Sequence, residues 1–160
     1  MKTLLLTAKL LAVTPETECL ALNMYFEARN QNIAGLLAVT NVVYNRVKDK
    51  RYPNTVCEVV HQGPTRLSWK NNGIVHPVKN KCQFSWYCDG KNDIPTDIKA
   101  YNSILLLANN ITTKKVAYID LTDGATHYHA DYVLPSWAST KTKTVEINDH
   151  IFYRWETVDD

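Results

Sequence analysis

Cys19-Leu-Ala-Leu-Asn-Met-Tyr-Phe-Glu-Ala-Arg29 places one carboxylate, Glu27, near the end of a segment that is otherwise almost wholly apolar. Leu20, Asn23, Met24 and Glu27 recur at i, i+3, i+4 and i+7, so in a helix they share one stripe, and that stripe should face the interior. Burial disfavours the charged form of a carboxylate, and the negative end of the helix dipole acts in the same direction. Both raise the pKa of Glu27 towards neutrality, where a protonated glutamate can give its proton to a leaving oxygen. The competing interpretation is a structural ion pair with Arg29 or Arg46. On this segment alone the ion pair is the simpler account, because structural pairs also perturb pKa values.

Outward from Glu27, the apolar pattern predicts a first helix from Pro15 to Ala28, with Thr14 as its N-cap and Pro15 at the first helical position. A second helix is expected from Ile33 to Lys48, with Ile33, Leu36, Leu37, Thr40, Tyr44 and Val47 on its core face. Pro53-Asn54 breaks the chain before a short helix near Thr55 to His61. From Gly63 to Asp93 the chain is rich in Gly, Pro, Asn and Lys and carries Trp69, Phe84, Trp86 and Tyr87. It is expected to be a long loop region, and long ordered loops in compact domains are usually functional. A further helix is predicted from Thr96 to Asn110, turning Ile98, Tyr101, Leu105 and Ala108 inward. From Thr126 to Trp155 the chain is expected to be extended, ending in a hairpin of Lys143–Ile147 and His150–Trp155 about Asn148-Asp149. The expected class is α+β, mainly helical, with a small C-terminal β-hairpin.

At 160 residues the chain is long enough for one well-buried core. No internal repeat, low-complexity run or Gly/Ser linker divides it, so it reads as a single catalytic domain of residues 15–155 behind an N-terminal extension of residues 1–14. A net charge of +2 and a pI near 8.3 suit a mildly basic protein that favours an anionic surface. No basic patch interleaved with stacking aromatics marks a nucleic-acid binder, and nothing resembles a heptad seam, so a monomer is expected. The apolar stretches Leu4–Leu6 and Leu10–Val13 are interrupted by Lys9 and are too short to span a bilayer. They also lack the small-residue cleavage site of a secretory signal. Of the four cysteines, Cys82 and Cys88 bracket five residues, while Cys19 and Cys57 lie near two helices expected to pack together. Either pair suits a disulfide in an oxidising compartment, against four reduced thiols in the cytosol. One bridge, Cys82 to Cys88, is the favoured expectation.

Six separated blocks follow in order: Glu27-Ala-Arg29, Ala38-Val-Thr-Asn-Val-Val-Tyr-Asn-Arg-Val47, Tyr52-Pro-Asn-Thr-Val56, Cys82-Gln-Phe-Ser-Trp86, Gly124-Ala-Thr-His-Tyr-His129 and Ile151-Phe-Tyr-Arg154. In this order and spacing the chain resembles the SleB-type cell wall hydrolases, the spore cortex-lytic enzymes and their Gram-negative and phage relatives, from about Glu18 to Trp155. The resemblance implies a peptidoglycan glycosidase with a lysozyme-like fold, related to goose-type lysozymes and lytic transglycosylases, and it places the family's catalytic glutamate on Glu27. The pattern departs at Asn30-Gln31, where family members usually carry Gly-Glu. Any role of that second carboxylate is absent here or is met by an amide. The stretch from Gly63 to Lys81 does not fall on the family pattern. A wall hydrolase without its own export signal is expected to be a phage endolysin, made in the host cytoplasm and released to the periplasmic wall by a holin. An exported periplasmic enzyme is the alternative.

Cleaving a glycosidic bond needs a proton for the leaving oxygen and a group to meet the oxocarbenium-like centre, for which most glycosidases use two carboxylates. The nearest acids to Glu27 in sequence, Glu18 and Asp49, are a helix turn or a whole helix away, and Asp89 is the one motif-adjacent candidate. A lytic transglycosylase needs no second carboxylate, because the muramic acid 6-hydroxyl attacks its own anomeric carbon and one glutamate serves as acid, then base. That chemistry is therefore expected ahead of hydrolysis, with peptidoglycan glycan strands as partner and no cofactor. Gln83 and Ser85 are candidates for hydrogen bonds to N-acetyl and hydroxyl groups, with Trp86 as a stacking face. A loop aromatic such as Trp86 equally often fills a core. Tyr128 should point opposite to His127 and His129 and stabilise charge near Glu27, or else be a core tyrosine with a satisfied hydroxyl. Asn45 and Arg46 are read as fixing the Glu27 loop rather than touching substrate. Two rivals remain. A zinc amidase would draw on His61, His76, His127, His129 and the cysteines, although no His-Glu-x-x-His motif is present. A non-catalytic glycan-binding module would use Trp69, Trp86 and Tyr87.

Overall fold

The structure is a computed structural model that describes residues 13–156. The apolar stretch at Leu4–Leu6 and Leu10–Leu11 lies outside the described residues. The fold is α+β and mainly helical. Its first element, α1 (Pro15–Ala28), starts as expected, with the Thr14 hydroxyl accepting from the Thr17 amide and Pro15 at the first position. Glu16 and Glu18 in its first turn complement the positive end of the dipole. Leu20, Ala21 and Met24 are fully buried, so α1 is an interior helix against which α2 (Ile33–Lys48), α3 (Val56–Val60) and α4 (Ile98–Thr112) all pack.

Two disulfides form. Cys19–Cys57 ties α1 to α3, and Cys82–Cys88 closes the loop around a single 3-10 turn at Ser85–Cys88. The expectation of one bridge is corrected to two, because packing of α3 on α1 brings the Cys19 and Cys57 Cα atoms to 5.3 Å, within disulfide reach.

α2 is buried on two faces rather than one. Val39 and Val43 join the helical core with Leu20, Met24, Val59 and Ile104, whereas Ala38 and Val42 join a second core with Ala125 and Phe152. The face expected from periodicity holds in part: Thr40 is buried, Leu36, Leu37, Tyr44 and Val47 are half-buried, and Ile33 is exposed. In α4 the expected inward residues hold in part: Ala108 is buried and Tyr101 and Leu105 pack half-buried against the core, whereas Ile98 is exposed and Ile104 and Ile111 are buried in addition. The run Ile104-Leu-Leu-Leu-Ala108 is apolar at every position, so several helical phases fit it equally, and the close fit against α1 selects one.

The C-terminal part forms a three-stranded antiparallel sheet of β3 (His127–Ala130), β4 (Thr142–Ile147) and β5 (His150–Arg154), in the order β3-β5-β4. The expected hairpin is present, with Ile147 opposite His150 and Asn148 in the left-handed region (φ 51°). Its turn is fastened to the α1–α2 loop. Asn148 donates to the Asn32 side chain, which also caps α2, and Gln31 donates to Asp149. The amide at position 31 thus acts as a tie to the sheet. Gly35 permits the approach, since a Cβ there would lie 2.7 Å from Asn148 Nδ2. In the expected loop region, β1 (Thr65–Leu67) and β2 (Val75–Pro77) pair as an isolated antiparallel hairpin.

Cys19–Cys57 closes a loop with a sequence separation of 38 and Cys82–Cys88 one of 6. Loop-closure entropy then predicts that Cys19→Ser/Cys57→Ser lowers stability by about 3–4 kcal/mol and Cys82→Ser/Cys88→Ser by about 2 kcal/mol. Urea unfolding of the two double variants tests that order.

Candidate active site

The site forms where α1, α2, the 82–88 loop and β3 meet. Asn41 and Asn45 stand about one helical turn apart along α2, with Arg46 next to Asn45, and all three reach the incoming chain. Asn41 donates to the Ile119 carbonyl and accepts from the Leu121 amide, Asn45 donates to the Ala125 carbonyl and to Asp120, and Arg46 Nε donates to the Thr126 carbonyl at 2.8 Å. These bonds hold residues 119–126 along α2 and so deliver β3 to the end of α1. Asn45 and Arg46 therefore fix the strand that carries Tyr128, not the loop after Glu27.

The result is a cleft of about 200 Å³ lined by Glu27, Arg46, Gln83, Phe84, Ser85, His127, Tyr128 and Trp137. Five of the six residues predicted for the site, Glu27, Gln83, Ser85, His127 and Tyr128, are brought together here. The sixth, Trp86, is not. Its ring is buried and stacked on Phe26 at 4.9 Å, and its indole N–H donates to Asn23 Oδ1 at 3.0 Å. With its polar atom satisfied internally, the whole indole belongs to the core. Asp89 is also outside the cleft, where it accepts from the Lys91 amide. Trp137 went unrecognised in the sequence. It lies between His127 and His129, at 5.2 and 5.7 Å, and no local spacing announces the contact, which depends on a 3-10 turn at Ser136–Thr140 folding over β3.

Glu27 makes no ion pair among the described residues. Arg29 turns away and donates to the Tyr25 hydroxyl. The close partner of Glu27 is Tyr128, whose hydroxyl donates to Oε2 at 2.6 Å. Burial raises the Glu27 pKa, opposed by the Tyr128 hydrogen bond and by the positive charge of Arg46, and the net direction is upward. Tyr128 itself is pushed well above its usual value, first by burial and then by the Glu27 charge, so it remains a donor. Because Tyr128 occupies Oε2, a proton on Glu27 sits on Oε1. Arg46 is buried with its guanidinium over the Tyr52 and Phe84 rings, each at 5.2 Å, and Nη1 has no hydrogen-bond partner.

The two histidines and Tyr128 alternate across β3, as expected. Both imidazoles face Trp137, and Tyr128 packs on Phe152 and His150. His127 is lowered to about 4, by burial first and then by Arg46, Lys141 and Arg51, so it is neutral at pH 7. His129 has both nitrogens engaged: Nδ1 donates to the Ala130 carbonyl, and Nε2 accepts from the Tyr153 hydroxyl. All four cysteines are in disulfides. Among the described residues no three His, Cys, Asp or Glu side chains converge as a metal site would require. Of the donors a zinc amidase would draw on, the four cysteines and His129 are thus committed elsewhere.

A larger groove of about 750 Å³ runs alongside, lined in part by Asn45, Asp49, Arg51, Thr126, Arg154, Trp155 and Glu156. Its carboxylates are paired, Asp49 with Arg51 and Glu156 with Arg154, and these hydrogen bonds hold both below the usual range. Neither is poised to give up a proton, in contrast to Glu27, whose pKa is raised.

Glu27 is ionised less readily in the folded chain than in the unfolded one, so it favours folding below its unfolded pKa, and that contribution is lost as pH rises through the raised folded value. Glu27→Gln removes the titration. At pH 8 the variant is expected to melt about 2–4 °C above wild type, the shift that ~1 kcal/mol gives in a domain of this size, with the gap closing at pH 4. Calorimetry at the two pH values checks it.

Two solved structures share the fold. The catalytic domain of the germination-specific lytic transglycosylase SleB from Bacillus anthracis superposes with a TM-score of 0.59 at 24% identity, over 87% of this chain and 93% of that one. The catalytic domain of the Bacillus cereus SleB protein gives 0.56 at 24% identity, over 87% and 89%. No curated protein sequence matches the chain. The family model described as Cell Wall Hydrolase matches residues 30–153, beginning three residues after Glu27 and spanning α2, the 82–88 loop and all of the sheet but Arg154. By that match over most of its length, the chain belongs to the cell wall hydrolase family.

Proposed function

We propose that the protein cleaves the glycan strand of peptidoglycan between N-acetylmuramic acid and N-acetylglucosamine, as a lytic transglycosylase in which Glu27 is the acid and then the base. One observation carries this reading. The cleft lining holds a single carboxylate, desolvated and bonded to a tyrosine that stays protonated. Hydrolysis through either of the two-carboxylate routes needs a second acid about 5–10 Å away, and among the described residues none lines the cleft. Family membership and the fold shared with SleB domains support the substrate class.

In the first step Glu27 Oε1 gives its proton to the glycosidic oxygen as the bond from that oxygen to the muramic acid anomeric carbon breaks. The glutamate becomes a carboxylate, and the Tyr128 hydrogen bond and the Arg46 charge, which oppose protonation before the step, stabilise it afterwards. In the second step the muramic acid 6-hydroxyl bonds to the anomeric carbon and gives its proton to Glu27, which regenerates the acid and leaves a 1,6-anhydro product. Gln83 and Ser85, exposed at the cleft rim, supply hydrogen bonds to N-acetyl and hydroxyl groups. His127, neutral and held by the Thr126 hydroxyl, contributes a polar wall rather than a proton. Both disulfides favour action in an oxidising compartment such as the periplasm. We extend the proposal to a phage endolysin, made in the host cytoplasm, that reaches the wall when the inner membrane is opened and works as a monomer.

Mass spectrometry of muropeptides released from purified peptidoglycan tests the chemistry. Wild type should release 1,6-anhydro products, and Glu27→Gln should lower the rate by at least about 10³-fold. Reducing-end sugars would overturn transglycosylation in favour of a hydrolytic muramidase, and free stem peptides unaffected by Glu27→Gln would overturn the glycosidase reading. A second test uses pH. Activity requires protonated Glu27 and falls as pH rises through its pKa. Tyr128→Phe removes a hydrogen bond that favours the carboxylate, so the alkaline limb should move to higher pH while the maximal rate falls about 10–100-fold. A limb that stays in place would separate Tyr128 from Glu27.

A further inference from the structure

The β1–β2 hairpin is unlike the rest of the surface. Each residue of β1 is exposed, and the hairpin leaves Leu67, Trp69, Ile74 and Val75 at 72%, 88%, 51% and 55% exposure. Leu67 and Val75 are cross-strand partners and so share one face, while Arg66 and His76 share the other. That second face borders a groove of about 700 Å³ lined by Arg66, Lys70, Lys79 and Lys91 together with Trp69 and Tyr87. From Gly63 to Lys91 the chain carries Arg66, Lys70, Lys79, Lys81 and Lys91 against one acid, Asp89. None of these five cations takes part in an ion pair among the described residues.

A structural role does not account for this. Four large apolar side chains on one short hairpin stay more than half exposed, and five cations stand outside any ion pair among the described residues, which a fold would not assemble for its own stability. A second copy of the chain is a poor partner, since it would bring the same positive charge to the same face. A polysaccharide suits Trp69 and Tyr87 but offers nothing to Leu67, Ile74 and Val75. Aliphatic and indole side chains at a projecting tip, backed by lysines and an arginine, match the boundary of a bilayer, where the apolar groups enter the headgroup layer and the cations meet lipid phosphates.

We infer that the β1–β2 hairpin is a peripheral docking element for an anionic phospholipid bilayer surface. The contact is shallow and reversible. Among the described residues no helix is long and apolar enough to cross a membrane, and the hairpin inserts only its tip. The element lies apart from the Glu27 cleft, shares no lining residue with it, and does not depend on which bond the cleft breaks.

Co-sedimentation of the full chain with vesicles tests it. Wild type should pellet with phosphatidylglycerol/phosphatidylethanolamine vesicles at low salt, should be released by high salt, and should stay in solution with phosphatidylcholine vesicles. Trp69→Ser/Ile74→Ser and Lys70→Ser/Lys79→Ser should each weaken binding about tenfold or more. Both pairs are exposed, so folding is spared, and release of muropeptides from purified wall should match wild type. Failure to bind the anionic vesicles, equal binding to phosphatidylcholine, or binding unchanged in both variants would overturn the inference. Retention on purified wall lost in the same variants, without vesicle binding, would reassign the hairpin to a wall polymer.

Discussion

Burying polar side chains along α2 dictates the path of the chain beyond it. Asn41, Asn45 and Arg46 sit on a helix enclosed between two cores, and a buried amide or guanidinium left without partners costs about 1–3 kcal/mol or more. The partners are the backbone and Asp120 of residues 119–126. Satisfying α2 therefore requires that segment to run along it, and from there β3 can only enter beside the end of α1. The register of β3 on β5, His127 opposite Tyr153 and Tyr128 opposite Phe152, then turns Tyr128 towards Glu27 and the two histidines towards Trp137.

In the proposed mechanism the cleft joins two requirements that conflict in most surface sites. An acid that functions near neutral pH must be desolvated while it holds its proton, yet the carboxylate it leaves behind needs stabilisation. Burial at the end of α1 meets the first requirement. Tyr128 and Arg46 meet the second, one through a direct hydrogen bond and the other through charge at longer range. Arg46 does this without neutralising Glu27, because its guanidinium is held by the Thr126 carbonyl and two aromatic rings rather than by the carboxylate. An ion pair at the same place would have kept Glu27 ionised and removed the acid.

Loops supply much of the remaining cleft lining. The Cys82–Cys88 bridge and the 3-10 turn hold Phe84 and Trp86 inward and leave Gln83 and Ser85 exposed at the rim. Four consecutive residues are thereby turned alternately outward and inward by local geometry. Trp86 fell on the core side because Asn23, from the same stripe of α1 as Glu27, offers an acceptor to its indole N–H. The tie between Gln31 and Asp149 shows a similar economy, with an amide linking the loop after α1 to the far turn of the sheet.

The sequence by itself determined α1 and α2 to the residue, because capping residues, Pro15 and long apolar runs act locally. It also determined the terminal hairpin and Glu27 as the outstanding carboxylate, because period and burial cost are properties of short segments. The burial of Ile104 and Ile111 in α4, the second face of α2, the second disulfide, the core placement of Trp86 and the arrival of Trp137 at the cleft were decided only by tertiary structure. Each depends on which of several equivalent local options finds a partner far along the chain. A run such as Ile104–Ala108 has no preferred phase until α1 lies against it. An indole has no preferred side until an acceptor is buried beside it, and a carboxylate becomes an acid only when the fold withholds water and counter-charge together.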